Sequence, residues 1–150
     1  MRTPDDRLCL PFEKRQISRQ RIVLESGREA ALKMPRGDLL RGKDLLITDQ
    51  SEVILVIAAN ESVSIVTADN LNELARAAYH LGNRHVAVEV GNGWLSYLHD
   101  HVLDDMVSGL GGLRLKHAEK PFEPEAGAYH SHGSHNHTTH DHSANGHDHV

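Results

Sequence analysis

The chain has 150 residues, of which 39% are hydrophobic and 25% are charged, and its formal charge is −5 with histidine counted as neutral. A chain of this length holds one ordinary domain or two small ones, and its acidic balance provides no basic surface for nucleic acid. No apolar run approaches the roughly 18 residues of a membrane helix, and no secretion signal begins the chain. The single cysteine, Cys9, fits a reducing compartment, so we expect a soluble cytoplasmic protein with neither a nucleic-acid nor a membrane partner.

The N-terminal part of the sequence consists of short apolar runs separated by turn residues, and no amphipathic helix of useful length fits there. Strands are predicted at residues 21–24, 30–32, 45–47 and 53–57. A turn around Gly27 joins the first two as a β-hairpin. We therefore predict a small all-β domain over residues 1–60.

The pattern changes after residue 60, where strands alternate with helices. Predicted strands lie at residues 63–66, 86–90, 94–98 and 113–115, and predicted helices lie at residues 71–81 and 102–110. Asp69 or Asn70 can cap the first helix, and Gly82 and Asn83 can end it because both tolerate a left-handed backbone. The order strand–helix–strand–strand–helix–strand is that of a ferredoxin-like βαββαβ domain, which we predict over residues 61–120. The fold class is α+β.

The last part of the chain, residues 121–150, has almost no apolar side chains after its first few residues, so we predict a disordered tail. It carries eight histidines and no lysine or arginine near them: His130, His132, His135, His137, His140, His142, His147 and His149. Neutral imidazole suits nickel, copper and zinc, and short histidine-rich tracts are typical of metal binding. Two alternatives to metal binding are a purification tag, which would be an uninterrupted run of histidines, and solvated low-complexity sequence without a role.

Five further histidines lie in the part of the sequence that we expect to fold. His99 and His101 are two residues apart, and on an extended strand they would share one face and could reach one ion. Asp100 would then point the other way, toward solvent or a helix cap. His85 follows the first helix, a position at which a lone histidine is more often structural than a ligand. His117 has no neighbouring partner in the sequence and stays unassigned.

Three sequence motifs resemble those of the UreE family of urease accessory metallochaperones. They are LARAAYHLGNRH at residues 74–85, DHVLDDM at residues 100–106 and PFEPEAGAY at residues 121–129. Residues 26–30 and 32–37 also fit the N-terminal domain of that family. The resemblance extends from about Phe12 to the tail.

This resemblance implies a homodimer that binds Ni²⁺ and passes it to the urease accessory GTPase UreG and the urease apoprotein complex. It implies an N-terminal domain similar to the peptide-binding domain of Hsp40 chaperones and a ferredoxin-like C-terminal domain. By the same resemblance His85 lies at the dimer interface, where the two copies share one Ni²⁺ ion. His99 and His101 match secondary metal ligands, and the tail would buffer metal. Zn²⁺ and Cu²⁺ are the ions expected to compete in vitro.

Two other classes of protein have to be weighed. A metal-dependent hydrolase needs a compact ligand set with a general base, such as H-E-x-x-H, and the sequence contains none, so we expect no enzymatic activity. A histidine-rich metal-storage or zinc-buffering protein is the stronger alternative, since the tail alone would satisfy it. A delivery partner distinguishes the two, because a buffer needs none.

Overall fold

The N-terminal part of the chain is built mainly from strands. The computed structural model describes residues 2–127, and the elements of its first part are β1 (Asp6–Leu10), α1 (Phe12–Arg15), β2 (Arg19–Val23), β3 (Glu29–Lys33), β4 (Leu45–Ile47) and β5 (Val53–Ala58). β2 and β3 form the predicted hairpin, while β5 pairs in parallel with β1 and antiparallel with β4. Leu8, Leu32 and Val56 belong to the buried core of these sheets. The four predicted strands are confirmed, and β1 and the four-residue helix α1 are additions to them.

The second part of the chain has its own core. Its elements are β6 (Asn60–Ala68), α2 (Leu71–Asn83), β7 (Glu89–Val90), β8 (Trp94–Leu98), α3 (His101–Leu110) and β9 (Leu113–Pro121). The strands form one antiparallel sheet in the order β7-β8-β6-β9. Leu81 of α2 and Val107 of α3 pack against Val66 and Leu95 of this sheet. The chain is therefore an α+β protein with two domains, and no helix within residues 2–127 is long and apolar enough to cross a bilayer.

Three of the predicted strands of the second domain differ in length from those observed. The first was predicted over residues 63–66, whereas β6 covers Asn60–Ala68. The strand predicted over residues 86–90 contains only Glu89 and Val90, since β7 is an edge strand that pairs with β8 at these two positions. The last strand was predicted to cover three residues, but β9 continues to Pro121 because it pairs with β6 along its whole length. This longer strand determines where His117 lies.

Side chains cap both long helices at their N-termini. The Asn70 side chain accepts a hydrogen bond from the backbone N–H of Glu73 in the first turn of α2. Asn70 is one of the two residues that were predicted as the cap. Asp100 accepts two hydrogen bonds from backbone N–H groups of α3, which satisfies donors that the helix leaves unpaired. His101 therefore begins a helix, and His99 lies between β8 and the cap. The prediction that His99 and His101 share one face of an extended strand is wrong.

The turn after α2 places a histidine in a left-handed conformation. α2 continues through Gly82 and Asn83, the two residues that were predicted to end it, and the residue with a positive φ is His85, at 57°. Its backbone N–H donates to the carbonyl oxygen of Gly82 over 2.9 Å. The left-handed conformation costs a residue with a Cβ roughly 1 kcal/mol. The chain thus holds a histidine at a position where its backbone would favour glycine.

Arg15 ties the N-terminal domain to the segment that follows β9. Its side chain is fully buried and donates to the carbonyl oxygens of Leu10, Leu40 and Phe122. It also donates to the Glu123 carboxylate over 2.5 Å. The Leu10 carbonyl also accepts a hydrogen bond from the Ala59 N–H, so removal of the guanidinium would mainly affect the carbonyls of Leu40 and Phe122. Arg15 is therefore a structural charge that connects the two ends of the described chain.

The prediction that folding stops at Pro121 is wrong for the residues that follow directly. Phe122 is fully buried and meets the Phe12 ring edge-on, with 5.5 Å between the ring centroids. Pro124 is buried as well, and the Glu125 N–H donates to the carbonyl oxygen of Val88. Prolines and a glycine suggested a loss of structure, whereas Phe122 and Pro124 are packed against the rest of the protein. The rest of the predicted tail, residues 128–150, lies outside the described residues.

Replacing Arg15 by methionine keeps the aliphatic bulk and removes the guanidinium. We expect Arg15→Met to lower the free energy of unfolding by about 3 kcal/mol, because buried carbonyls lose their donor and Glu123 loses its partner. Urea denaturation measures this loss. Arg28→Met is the matched control, since Arg28 pairs with Glu52 at the surface and its loss should cost less than about 1 kcal/mol. Equal losses would contradict the structural role of Arg15.

The left-handed backbone of His85 can be tested by comparing two substitutions there. His85→Gly should be more stable than His85→Ala by about 1 kcal/mol, because glycine adopts a positive φ without a steric penalty. Thermal or urea denaturation of the two variants gives the difference. Lys43, with a φ of 74°, offers a second such position, where glycine and alanine should differ in the same direction. An alanine variant as stable as the glycine variant would contradict the left-handed turn.

Candidate metal centre

Three polar residues lie side by side across the sheet of the second domain. Ser64 of β6 pairs directly with Tyr97 of β8 on one side and with His117 of β9 on the other. Directly opposed residues of an antiparallel pair point to the same face of the sheet. Ser64 and Tyr97 are fully buried, and Tyr97 belongs to the core that α2 and α3 cover. The sheet thus presents a polar row at the edge of that core.

Asp104 of α3 lies over this row and accepts hydrogen bonds through both carboxylate oxygens. Its Oδ1 accepts from the Tyr97 hydroxyl at 2.6 Å and from the Ser64 hydroxyl at 2.7 Å. Its Oδ2 lies 2.7 Å from His117 Nε2. Because only 8% of Asp104 is exposed, these partners replace most of the water that a carboxylate would otherwise bind.

The hydrogen bonds keep Asp104 ionised. Burial raises the pKa of its carboxyl, but the hydrogen bonds from Tyr97, Ser64 and His117 outweigh burial, and the pKa lies below its ordinary value. The pKa of the Tyr97 hydroxyl is raised by burial and by its hydrogen bond to Asp104. Tyr97 therefore remains a proton donor, and Asp104 remains an anion.

His99 completes a cluster of three groups that can bind metal. Its Nδ1 lies 3.1 Å from Asp104 Oδ2 and 3.2 Å from the Ser64 hydroxyl oxygen. Its ring meets the His117 ring at an angle of 68°, with the centroids 4.4 Å apart. One ligand atom from each of His99, Asp104 and His117 lies within 4.8 Å of the others, as in no other group of three such residues in the part of the chain that the structure describes. We call these three residues the His99–Asp104–His117 cluster.

The predicted site residues have different positions in the fold. His85 is exposed in the turn after α2, and His101 is exposed at the first position of α3. Neither belongs to the cluster, whereas His99 does. The eight tail histidines, from His130 to His149, lie outside the described residues.

Sequence reasoning missed Asp104, His117 and the residues that hold them. His117 follows Leu113 and Leu115 at intervals of two, so a longer predicted strand would have placed it on the same face as these leucines. Asp104 precedes Val107 by three residues, a spacing that puts both on one face of a helix. Ser64 and Tyr97 offered no comparable signal, because their contact depends on strand register.

Comparison with known protein families gives a consistent result along the chain. Residues 2–59 match the model described as UreE urease accessory protein, N-terminal domain. Residues 61–149 match the model described as UreE urease accessory protein, C-terminal domain. The two matches follow each other in the order of the two structural domains.

Individual relatives agree with the family models. The urease accessory protein UreE of an Enterobacter species is 55% identical over 125 residues, which covers 83% of this chain and 82% of the relative. The proteins of the same name from Pseudomonas putida and Alkalilimnicola ehrlichii are 53% and 52% identical over 125 residues, with 83% of this chain covered and 77% and 76% of each relative. The chain therefore belongs to the UreE family of urease accessory proteins, and it acts in urease maturation as an accessory protein rather than as an enzyme.

Proposed function

We propose that this chain is a metallochaperone that binds Ni²⁺ through histidines and delivers it for assembly of the urease active site. The observation that carries the proposal is the exposed His85 in its left-handed turn. A backbone that disfavours its own residue type is a common mark of a functional position. Imidazole is a good ligand for Ni²⁺, and an exposed imidazole can bind an ion without unfolding its surroundings.

The apolar surface of α2 supports a homodimer in which two copies share one ion. Leu71 and Tyr79 are 75% and 66% exposed, and Ala75 between them is exposed too. Residues four apart lie on one face of a helix, so the three form an apolar stripe that leads toward His85. A second copy packed against this stripe would cover it and bring the two His85 side chains together.

The remaining features of the proposed function concern partners and domain roles. Delivery requires an acceptor, for which we propose the accessory GTPase UreG and the urease apoprotein complex in the cytoplasm. We assign residues 1–60 to a peptide-binding type of β domain and residues 61–120 to the metal-binding domain. A ferredoxin-like fold for the latter is supported by its element order and by its strand order β7-β8-β6-β9. Residues 121–150 would serve as a metal reservoir.

A metal-storage or zinc-buffering protein is the alternative function. The histidine-rich composition of residues 130–150 favours it, because such a tract binds ions without a folded site. A storage protein would depend on the tail and would not need His85. The two functions therefore differ in which histidines matter for urease activation.

Substitution of His85 should impair urease activation far more than loss of the tail histidines. We expect His85→Ala to lower nickel-dependent urease activity at least about tenfold, as loss of a metal ligand does. Replacement of all eight tail histidines by asparagine should lower it less than about twofold when nickel is abundant, because a reservoir then adds little. Urease activity of cells or of a reconstituted maturation mixture is the measurement.

His80→Ala is the matched control for that experiment. His80 lies five residues before His85 on α2 and is half-buried, so its loss perturbs the same helix without removing the proposed ligand. Activity close to that of the unmodified chain is expected. Equal losses from His85→Ala and from the tail substitutions would contradict this division of roles and favour storage.

A further inference from the structure

We propose that the outer side of the β2–β3 hairpin is a docking surface for an acidic segment of a partner protein. The surface consists of the cations Arg19, Arg21 and Lys33 and of two apolar residues beside them, Val23 and Ala31. We call these five residues the hairpin face. The proposal rests on the assignment of the N-terminal domain to a peptide-binding type, and it gives that domain a surface and a ligand chemistry.

The alternation of side chains along the two strands places the hairpin face on the side away from the core. Ile22 of β2 and Leu32 of β3 are buried in the core of the N-terminal domain. Successive residues of a strand point to opposite sides of the sheet, so the residues that alternate with these two point outward. All five residues of the hairpin face are exposed, and Val23 is 61% exposed.

The three cations of the hairpin face are not compensated by carboxylates. Arg19 and Lys33 are direct cross-strand neighbours, and like charges in such positions destabilise an antiparallel pair. None of the salt bridges among residues 2–127 involves Arg19, Arg21 or Lys33. The nearest carboxylate of the hairpin, that of Glu29, lies opposite Val23 at the other end of the face. A partner with carboxylates would relieve a repulsion that the hairpin alone retains.

Two partly apolar grooves lie beside the cations. One groove, of about 430 Å³, is lined by Arg21, Val23 and Ala31 among other residues of the hairpin. A second groove, of about 520 Å³, is lined by residues of β3 and β4, which include Lys33 and Leu46. Protein interfaces combine apolar contacts with charged groups around them, and arginine is enriched there. The partner segment should therefore carry aliphatic side chains between its carboxylates.

An acidic polypeptide fits this surface better than other anionic partners do. Residues 1–60 hold eleven Lys and Arg against nine Asp and Glu, so the excess of negative charge lies elsewhere in the chain. A nucleic-acid interface neutralises a row of phosphates, and an anionic membrane attracts clusters of about four to eight basic residues. Three cations with Glu29 on the same side are too few for either. Carboxylates spaced along a peptide can each pair with a guanidinium of Arg19 or Arg21.

Fluorescence anisotropy with the full-length chain tests the proposal. The probe is a labelled synthetic peptide of glutamates interspersed with leucines, used near about pH 8 so that unperturbed histidines are neutral. The triple variant Arg19→Gln/Arg21→Gln/Lys33→Gln should bind this peptide at least about tenfold more weakly than the unmodified chain at low ionic strength. Added salt should weaken binding to the unmodified chain. A peptide with glutamine in place of each glutamate should also bind at least about tenfold more weakly.

A second triple variant controls for the change in net charge. Arg7, Arg28 and Arg114 each pair with a carboxylate at the surface. Replacing all three by glutamine changes the net charge by the same amount as the first triple variant does. Because these arginines lie outside the hairpin face, affinity for the glutamate peptide should stay within about twofold.

The variant Lys33→Glu separates a loss of binding from a loss of folding. It places a carboxylate opposite Arg19 and turns a repulsive cross-strand pair into an attractive one, so the urea midpoint should rise. Binding of the glutamate peptide should nevertheless fall at least about tenfold, because one cation is replaced by an anion. A variant that is more stable but binds more weakly cannot owe its loss of binding to unfolding.

Several outcomes would overturn the proposal. One is equal loss of binding in the two triple variants, and another is equal binding of the glutamate and glutamine peptides. Tighter binding of a DNA duplex or of phosphatidylserine vesicles, lost in the first triple variant, would assign the hairpin face to nucleic acid or membrane. Self-association in sedimentation velocity that the first triple variant abolishes, without peptide binding, would assign it to a second copy of the chain. Nickel binding at His85 is measured separately, so failure of this surface and failure of nickel delivery are distinguishable.

Discussion

The buried carboxylate of Asp104 needs hydrogen-bond partners to offset the loss of its water, and the second domain is arranged around it. An unpaired charge at this depth would cost several kcal/mol. The hydroxyls of Ser64 and Tyr97 offset that cost, and both reach Asp104 only in the observed strand register. A shift of β8 by one residue would turn Tyr97 to the other face of the sheet. The observed register therefore satisfies this anion, and the same register brings His117 beside His99.

A second buried charge, that of Arg15, stabilises the contact between the N-terminal domain and the segment after β9. Arg15 joins backbone carbonyls of the N-terminal domain to Phe122 and Glu123, which follow the last strand. Only Ala59 separates β5 from β6, so the two domains are connected both by a short link and by this buried contact. The segment that leads into the histidine-rich tail is held against the N-terminal domain as a result.

Much of the fold could be predicted from the sequence, because periodicity and turn residues are local signals. The hairpin around Gly27 and the helix capped by Asn70 are examples. The candidate site could not be predicted in the same way. Its cluster joins β8, α3 and β9, and contacts between elements depend on register and packing that no local pattern encodes. The docking of Phe122 was missed for the same reason, since a proline-rich stretch gives no sign that a buried arginine will bind its backbone. The proposed role of His85 came from the family resemblance, and its left-handed backbone from the structure.

The folded part of the chain, and not only its tail, should bind metal if the chain delivers Ni²⁺ from a shared site. Anomalous X-ray diffraction at the nickel absorption edge, recorded from crystals of the nickel-loaded full-length protein, tests it most directly. We expect one peak between the His85 side chains of two protomers. A nickel-loaded crystal without an anomalous peak on any of residues 2–127 would contradict the claim.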